Sequence, residues 1–273
     1  MVRRRRKPER AVILTPEEVE GMRVAGQFAA GLLDHVARMI EPGLTTAEID
    51  AYVAEETKRR GGRSAPLGYP AGGRHPFPRS CCTSVNQVVC HGIPSEHQVL
   101  REGDIINVDV TPVIDGFHGD TSRTFIVGEA DPEVRRLVDD TFEAMRRGIA
   151  VVRPGAHVGD IGHAIQTFAE ARGHGVVRTY AGHGIGKVFH GPPTISHVGD
   201  PGTGEVFVPG MTFTVEPMIN MGDWRCMTLS DHWTVVTADR SLSAQFEHTV
   251  SVTEDGVDIL TLSPGATLDL GVG

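Results

Sequence analysis

The sequence predicts an α+β fold built from two related halves, because three short patterns recur in the same order along the chain. EPGLTTAEIDAYVAEETKRRG at 41–61 matches RPGAHVGDIGHAIQTFAEARG at 153–173. HGIP at 91–94 mirrors HGPP at 190–193, and EGDIINVDV at 102–110 aligns with PGMTFTVEP at 209–217. Such an ordered set of matches indicates an internal duplication. If the halves pack face to face about a pseudo-two-fold axis, Asp109 and Glu216 converge on one central cleft.

Four helices are expected, two in each half. The first reads TPEEVEGMRVAGQFAAGLLDHVARMIEPG, in which Thr15 and Glu18 can form a capping box and Pro-Gly ends the helix. The second starts at a Thr cap, and the third starts at Asp131-Pro132 and runs to about Val152. VGDIGHAIQTFAEARGHG supplies the fourth. Strand-like segments occupy residues 64 to 128 and most of the chain after the fourth helix.

Length and charge limit the possible classes of protein. We expect residues 1–14 to be a basic, disordered extension and residues 15–273 to form a single domain, with halves at about 15–128 and 129–262. The net charge of −9 argues against a general nucleic-acid binder, although the run RRRRK could tether the chain to RNA. No apolar run approaches the ~18 residues of a membrane span. Four cysteines without CxxC spacing suit reduced thiols in the cytoplasm.

Five ionisable residues stand in or beside apolar strand segments, where an unpaired charge is costly. They are Asp109, Asp120, His183, Glu216 and Glu247, in INVDV, HGDTSRTF, YAGHGIG, FTVEPM and AQFEHTV. Any one of them could be a salt-bridged or solvent-facing side chain. All five would need as many buried Lys or Arg partners, and the strand segments offer only Arg123.

Four carboxylates and one imidazole suit a pair of divalent cations. Oxygen donors with a single histidine do not choose among Mn, Fe, Co and Zn. Two cations generate hydroxide near neutral pH, so hydrolysis is the expected chemistry. The competing phosphate-loop interpretation of AGHGIGKVFH fails, because Val188 and not Ser or Thr follows Lys187. His91 in CHGIP could lie in a surface turn, but its mirrored partner His190 in HGPP favours a place in the cleft for both.

VCHGIP, NVDV, GFHGDTSRTF, GHGIGKVFH, FTVEPMIN and SLSAQFEHT together resemble the bacterial type I methionine aminopeptidases, over about residues 15 to 262. The resemblance implies the pita-bread fold of the M24 metallopeptidases (creatinase/aminopeptidase-like), with two pseudo-symmetric αβ halves around a central dinuclear metal site. It implies removal of the initiator methionine from nascent proteins and peptides when the second residue is small. The reaction would use a hydroxide that bridges the metals.

The same resemblance implies residue roles. Asp109 would chelate one metal, His183 and Glu216 the other, and Asp120 and Glu247 would bridge them. Glu216 would also act as general base, His190 would stabilise the oxyanion, and His91 would assist proton transfer near the scissile amide. The substrate would contact a set of mostly aromatic residues: Tyr69, Phe77, Cys82, His91, Phe189, His190 and Trp233. The metals could be Co, Mn, Fe, Zn or Ni, and a monovalent cation (Na or K) would bind near Asn86, Val88 and Ser243.

The chain departs from the family pattern in one loop. Where the family often reads CLGYHGYP, this chain has PLGYPAGGRHPFP, so Pro66 replaces a pocket cysteine and the loop is longer. Two alternatives remain open. A proline-specific peptidase of the same fold usually carries an additional N-terminal domain, and a metal-free binding protein on this scaffold should lack ligands. The leading hypothesis implies a cytoplasmic monomer without membrane contact, acting on nascent polypeptide N-termini and touching the ribosome through the basic N-terminus.

Overall fold

A computed structural model describes residues 11, 13–70 and 75–271. The arginine run of the predicted extension and the tip of the longer loop, residues 71–74, lie outside these residues. Ile13 forms a bridge with Met211, and the backbone N–H of Leu14 donates to the Gly210 carbonyl at 2.9 Å. Leu14 is also buried. The last two residues of the predicted extension are therefore part of the fold.

The predicted helices form where local signals place them. Their bounds are α1 Pro16–Met39, α2 Thr46–Arg59, α3 Pro132–Ala150 and α4 Val158–Glu170. The capping box of Thr15 and Glu18 is present at α1, and Thr45 with Glu48 forms another at α2. The third helix ends before Val152, because Val151 already serves as its C-cap. In the described part of the chain, no helix is both long and apolar enough to cross a bilayer.

The strands are short and numerous. They are β1 Arg63–Ser64, β2 Cys81–Val85, β3 Val88–Cys90, β4 Ile105–Val110, β5 Pro112–Ile114, β6 Phe117–His118, β7 Thr121–Ile126, β8 Gly175–Val176, β9 Gly182–Gly184, β10 Gly191–Ile195, β11 Thr212–Val215, β12 Met218–Asn220, β13 Cys226–Thr228, β14 Val235–Thr237, β15 Ser243–Gln245, β16 Glu247–Val252 and β17 Val257–Ile259.

The main sheet joins strands from both parts of the sequence in the order β10-β9-β11-β16-β7-β4-β2, with β17 beside β16. Strands β2, β4 and β7 follow the first two helices, and β9, β11 and β16 follow the last two. The two groups meet where β16 pairs with β7, with Glu247 opposite Ser122 and His248 opposite Thr121. We call this pairing the central seam. The predicted α+β class is confirmed, and the order on either side of the seam agrees with the repeat seen in the sequence.

Helices cover one face of this sheet. One core cluster includes Leu33 and Val36 of α1 with Val108 of β4, and another includes Ile161 of α4 with Phe213 of β11. Because side chains alternate along a strand, each strand that buries these residues against helices turns the intervening side chains to the opposite face. That opposite face carries the candidate site.

Candidate metal centre and adjoining pocket

Strand alternation places the first two acids. On β4, Ile106, Val108 and Val110 pack in the helix-facing core, so Asp109 points the other way. On β11, Val215 packs in the core of the second half, and Glu216 follows it directly, on the opposite face. The two acids that the internal repeat pairs therefore project from equivalent strands into the same space, as expected.

Asp120 lies at a corner between β6 and β7 and is buried. The corner presses against α1 at Gly119, where a Cβ atom would lie 2.2 Å from the Ala25 carbonyl oxygen. Glycine is therefore needed for this approach. The Thr111 hydroxyl donates a hydrogen bond of 2.7 Å to Asp120 Oδ1 and fixes the carboxylate.

His183 and Glu247 complete the group. The His183 Nε2 atom lies 3.5 Å from Asp120 Oδ2 and 3.7 Å from Glu216 Oε1. Donor atoms of Asp120, His183 and Glu247 all lie within 4.8 Å of one another, a geometry that could hold a metal ion. Glu247 is the first residue of β16, at the central seam, and it is buried. Asp109 and Glu216 line the same cavity as these three residues, so both sides of the seam contribute to it.

The carboxylates form a buried group that lacks cationic partners. Burial raises the pKa of Asp109 to about 7 and that of Glu216 to about 8. Burial, with the neighbouring carboxylates, also raises the pKa of Asp120 and of Glu247 well above the usual range. Within the described ranges, no Lys or Arg side chain lies within 4 Å of these acids, and Asp109 Oδ1 has no hydrogen-bond partner. Arg123 pairs with Asp34 instead, at 3.2 Å.

Divalent cations fit this arrangement. Buried carboxylates that lack positive partners are stabilised by a bound cation, and a neutral imidazole is a common metal ligand. Burial lowers the pKa of His183 to about 4, so its ring is neutral near pH 7. Four acids and one neutral histidine therefore match the donor set expected of a site for hard or borderline divalent metals.

Several polar residues that orient the acids were not predicted from the sequence. The Thr214 hydroxyl donates to Glu216 Oε1 at 2.7 Å and accepts from the His183 backbone N–H at 3.0 Å. Gln245 Nε2 lies 3.3 Å from Glu216 Oε2. The Glu216 backbone N–H donates to His197 Nε2 at 3.1 Å. A usable signal existed for two of them, because Thr214 and Gln245 precede Glu216 and Glu247 by two residues, the spacing that places side chains on one face of an uninterrupted strand.

His91 and His190 lie on the same cavity as the ligands. Burial lowers the pKa of His91 to about 4, and burial with the nearby His183 lowers the pKa of His190 to about 3. Both rings are therefore neutral near pH 7 and can donate one N–H each. His91 has a φ of 56°, a left-handed conformation that a non-glycine residue adopts at a cost.

The cavity has a volume of about 230 Å³ and continues from the acids into an aromatic and sulfur-lined chamber. Every residue predicted to contact substrate lines it: Tyr69, Phe77, Cys82, His91, Phe189, His190 and Trp233. Pro66 also lines it, at the position where the sequence departs from the family pattern. Further lining residues that the sequence did not reveal are Cys90, Tyr180 and Met218.

The residues predicted to bind a monovalent cation lie away from this cavity, where β3 and β15 approach each other. The Ser243 backbone N–H donates to the Asn86 carbonyl at 2.9 Å, and Val88 pairs with Val236 of β14. Ser243 Oγ is buried, as is Oδ1 of Asn220, which lies opposite Ser243 in the strand register. Neither atom has a hydrogen-bond partner among the described residues.

Comparison with known proteins agrees with this geometry. A sequence model described as metallopeptidase family M24 matches residues 20–254. Methionine aminopeptidase A of Synechocystis sp. is 56% identical over 250 residues, which cover 92% of this chain and 97% of that protein. Methionine aminopeptidase of Salmonella typhimurium is 49% identical over 260 residues, covering 94% of this chain and 96% of the relative.

Solved structures give the same picture. The crystal structure of methionine aminopeptidase from Rickettsia prowazekii superposes with a TM-score of 0.89 at 48% identity, over 93% of this chain and 100% of that one. Prolidase from Pyrococcus furiosus has a TM-score of 0.74 at 21% identity, over 93% of this chain and 66% of its own, which establishes a shared fold alone. The predicted pita-bread fold is therefore confirmed.

Proposed function

Because this chain belongs to metallopeptidase family M24, we propose that it removes the N-terminal methionine from nascent proteins and peptides whose second residue is small. One observation carries the proposal. One cavity is lined both by the five metal-type ligands and by a chamber-like set of aromatic rings and sulfur atoms. An apolar, polarisable chamber suits a thioether side chain, and the adjacent ligands would lie beside the peptide bond that follows it.

The alternative readings have weaker support. A proline-specific peptidase is favoured only by a fold likeness at 21% identity. A metal-free binding protein should have lost ligands, yet Asp109, Asp120, His183, Glu216 and Glu247 are all present. A hydrolase is therefore the function that the cavity supports best.

In this proposal, the five candidate ligands hold two divalent cations. Asp109 would hold one divalent cation, His183 and Glu216 a second, and Asp120 and Glu247 would bridge the pair. When bound, the cations polarise the scissile carbonyl and lower the pKa of water. Co, Mn, Fe, Zn and Ni are all compatible with four carboxylates and one imidazole.

Protein groups move the protons. Glu216 accepts a proton from the attacking water as general base, the role that the resemblance implies for it. Thr214 and Gln245 hold the two oxygens of this carboxylate in place by hydrogen bonds of 2.7 and 3.3 Å. The proton that Glu216 takes up passes on to the leaving amine, and His91 assists this transfer near the scissile amide.

His190 stabilises the negative charge that develops on the carbonyl oxygen. Burial keeps its imidazole neutral, so the ring donates an N–H without carrying a charge that would repel the nearby cations. Its ring lies 4.2 Å from the His183 ring and 5.0 Å from the Tyr69 ring, centroid to centroid. These neighbours hold the donor beside the ligand group.

A structural monovalent cation, Na or K, would bind near Asn86, Val88 and Ser243. The support is a buried Ser243 hydroxyl and a buried Asn220 amide oxygen that lack partners in the described part of the chain. Replacing potassium with choline should lower the melting temperature of the wild type more than that of Ser243→Ala. Equal shifts in the two proteins would refute this site.

We also propose that the chain acts as a monomer in the cytoplasm on emerging polypeptides, with its arginine run near the ribosome. Free thiols at Cys81, Cys82 and Cys90 suit a reducing compartment. Four consecutive arginines suit an anionic rRNA surface. Light scattering at working concentration tests the monomer, and a dimeric mass would contradict it.

Peptide cleavage tests the main proposal. The purified protein, loaded with Mn²⁺ or Co²⁺, should release methionine from Met-Ala-Ser and should leave an Ala-Pro peptide intact. A chelator should abolish the reaction, and added metal should restore it. Cleavage of Ala-Pro in place of Met-Ala-Ser would support the proline-specific alternative, and activity that survives full chelation would rule out metal-dependent hydrolysis.

A further inference from the structure

Two histidines stack against each other beside the cavity, outside the residues that line it. The rings of His75 and His232 lie 4.3 Å apart, centroid to centroid, with an interplanar angle of 10°. His75 belongs to the loop before Phe77, and His232 belongs to the turn between β13 and β14. Both residues are exposed, so the stack is not a consequence of burial in the core.

The turn that carries His232 is built around a strained residue. His232 has a φ of 69°, a region that favours glycine. Asp231 Oδ1 accepts hydrogen bonds from the backbone N–H groups of Trp233 and Thr234, each at 2.9 Å, and the Leu229 N–H donates to the Thr234 carbonyl at 2.8 Å. These bonds stabilise the turn. The strained residue, His232, is the one whose ring stacks on His75.

The stack is joined to the cavity wall by direct contacts. Trp233 Nε1 donates to the His75 carbonyl at 2.8 Å. The Trp233 ring packs edge-on against Phe77 at 5.2 Å and against His91 at 6.2 Å. Phe77 is buried and its N–H donates to the Tyr69 carbonyl at 2.9 Å. Two loops distant in sequence thus form one wall, and the His75–His232 stack closes that wall on its outer side.

We propose that His75 and His232 are positioning residues that clamp Trp233 and Phe77 in place and thereby set the affinity for the N-terminal methionine. This inference rests on the proposed function, since it takes the chamber as the methionine pocket. The two rings contact neither the ligand group nor the cavity, so they act through Trp233. Their loss should loosen the wall that binds the side chain and leave the proton-transfer groups in place.

The expected effect follows from the strength of an aromatic pair. Such pairs contribute roughly 0.5–1.5 kcal/mol, which converts to about a two- to twelvefold change in affinity. We therefore expect His75→Ala and His232→Gly to raise KM for Met-Ala-Ser by about two- to twelvefold and to change kcat less than about twofold. His75→Phe keeps a flat ring and the backbone carbonyl, and should restore the wild-type KM.

His232→Gly separates positioning from general damage. Glycine relieves the left-handed strain, so this variant should melt at the same temperature as the wild type or higher while its KM rises. A residue with a merely structural role would lose stability and activity together. His163→Ala, an exposed histidine on α4 far along the chain, serves as the control and should change neither value.

Fluorescence supplies a readout that does not need activity. The chain has two tryptophans, so in a Trp224→Phe background Trp233 is the sole emitter. Its anisotropy should fall in His75→Ala and His232→Gly and return in His75→Phe. If the wild type failed to cleave Met-Ala-Ser, the proposed function would be wrong. The anisotropy of Trp233 would still test the clamp in that case. Unchanged anisotropy or unchanged KM in both His75→Ala and His232→Gly would overturn the clamp itself.

Discussion

Asp109 illustrates at the scale of one residue what the site requires. Its Oδ1 atom is buried and finds no hydrogen-bond partner among the described residues, and burial raises the pKa of the residue to about 7. An isolated buried acid of this kind destabilises the protein unless something cationic joins it. Binding of a metal ion is therefore the role that best explains a carboxylate at this position.

Replacing Asp109 tests that interpretation. Asp109→Asn removes a negative oxygen donor, so we expect kcat/KM for Met-Ala-Ser to fall by at least about a hundredfold, since changing groups that merely orient ligands costs about 10- to 100-fold. Metal content, measured by mass spectrometry, should fall in parallel. Asp115→Asn changes an exposed acid at a turn with a φ of 49°, which Asn tolerates, and should leave both values unchanged. Full turnover by Asp109→Asn would disprove the assignment.

The raised pKa values also predict how pH acts on the metal-free protein. Asp109 and Glu216 have folded-state pKa values of about 7 and about 8, above the ordinary 3.8 and 4.5. The folded chain therefore keeps protons that the unfolded chain releases, and the stability of the metal-free protein falls as pH rises from about 4.5 to 8. Bound cations stabilise the ionised carboxylates, so the metal-loaded protein should not lose stability over this pH range.

The gap in melting temperature between metal-loaded and chelated protein should accordingly widen between pH 6 and pH 8.5, as measured by scanning calorimetry. In Glu216→Gln the carboxyl group whose pKa is raised to about 8 is gone, so the melting temperature of the chelated protein should fall less over the same range. A gap that stays constant with pH in the wild type would contradict the pKa assignments.

Individual residues differ in how far the sequence reveals them. The five candidate ligands could be picked out because each interrupts an apolar strand segment, a local signal. Thr214 and Gln245 carried a weaker signal, their two-residue spacing from an acid, and were missed. The pairing of His75 with His232 had no sequence signal, because it joins two loops whose meeting depends on the whole fold.

The bounds of helices and strands also depend in part on local sequence and in part on distant contacts. The starts of α1 and α2 were predictable, since a capping box is written within four consecutive positions. The segment HGDTSRTFIVG belongs to the strand-like region at residues 64 to 128, and its local pattern does not show that β6 and β7 are separated at Gly119 and Asp120. That break arises from the contact with α1, which no local pattern encodes.

Gly119 therefore has a predictable mutational effect. In Gly119→Ala the new Cβ would lie 2.2 Å from the Ala25 carbonyl, so α1 and the corner that carries Asp120 must separate. We expect a loss of roughly 1–3 kcal/mol in the free energy of unfolding, with weaker metal binding. Denaturant titration and metal titration measure the two effects.

The control lies in the helix itself. Gly31 is exposed on α1 with no atom within 4 Å of an added Cβ, so Gly31→Ala should stabilise the protein by about 0.5–1 kcal/mol through helix propensity. If Gly119→Ala proved as stable as the wild type, the close approach of α1 to the corner would not be a constraint.

At the scale of the whole molecule, charge is distributed unevenly. The chain carries a net charge of −9, yet begins with RRRRK within its first seven residues. An anionic body is repelled by rRNA, so any association should depend on the basic run and weaken as salt rises. Deleting residues 3–7 should abolish co-sedimentation with ribosomes at low salt and leave kcat/KM for Met-Ala-Ser unchanged. Equal co-sedimentation of both forms would contradict a ribosomal role.

The overall architecture was largely accessible from the sequence, since the repeat predicted two similar sets of helices and strands. Face-to-face packing of the halves was considered from the sequence, whereas the strands of the two sets join edge to edge in one continuous sheet. They meet at the central seam, where β7 and β16 pair and where donor atoms of Asp120 and Glu247 lie within 4.8 Å of each other.

Because of this seam, the candidate metal centre is shared by two polypeptide segments, and the link between them, residues 128–131, is exposed except at the half-buried Ala130. A chain severed there should reassemble more tightly as divalent metal is added, because each fragment contributes only part of the coordination sphere. If the two halves of a split luminescent reporter were fused to the two fragments, luminescence would rise with metal concentration. The architecture thus lends itself to a metal-responsive switch made from separate parts.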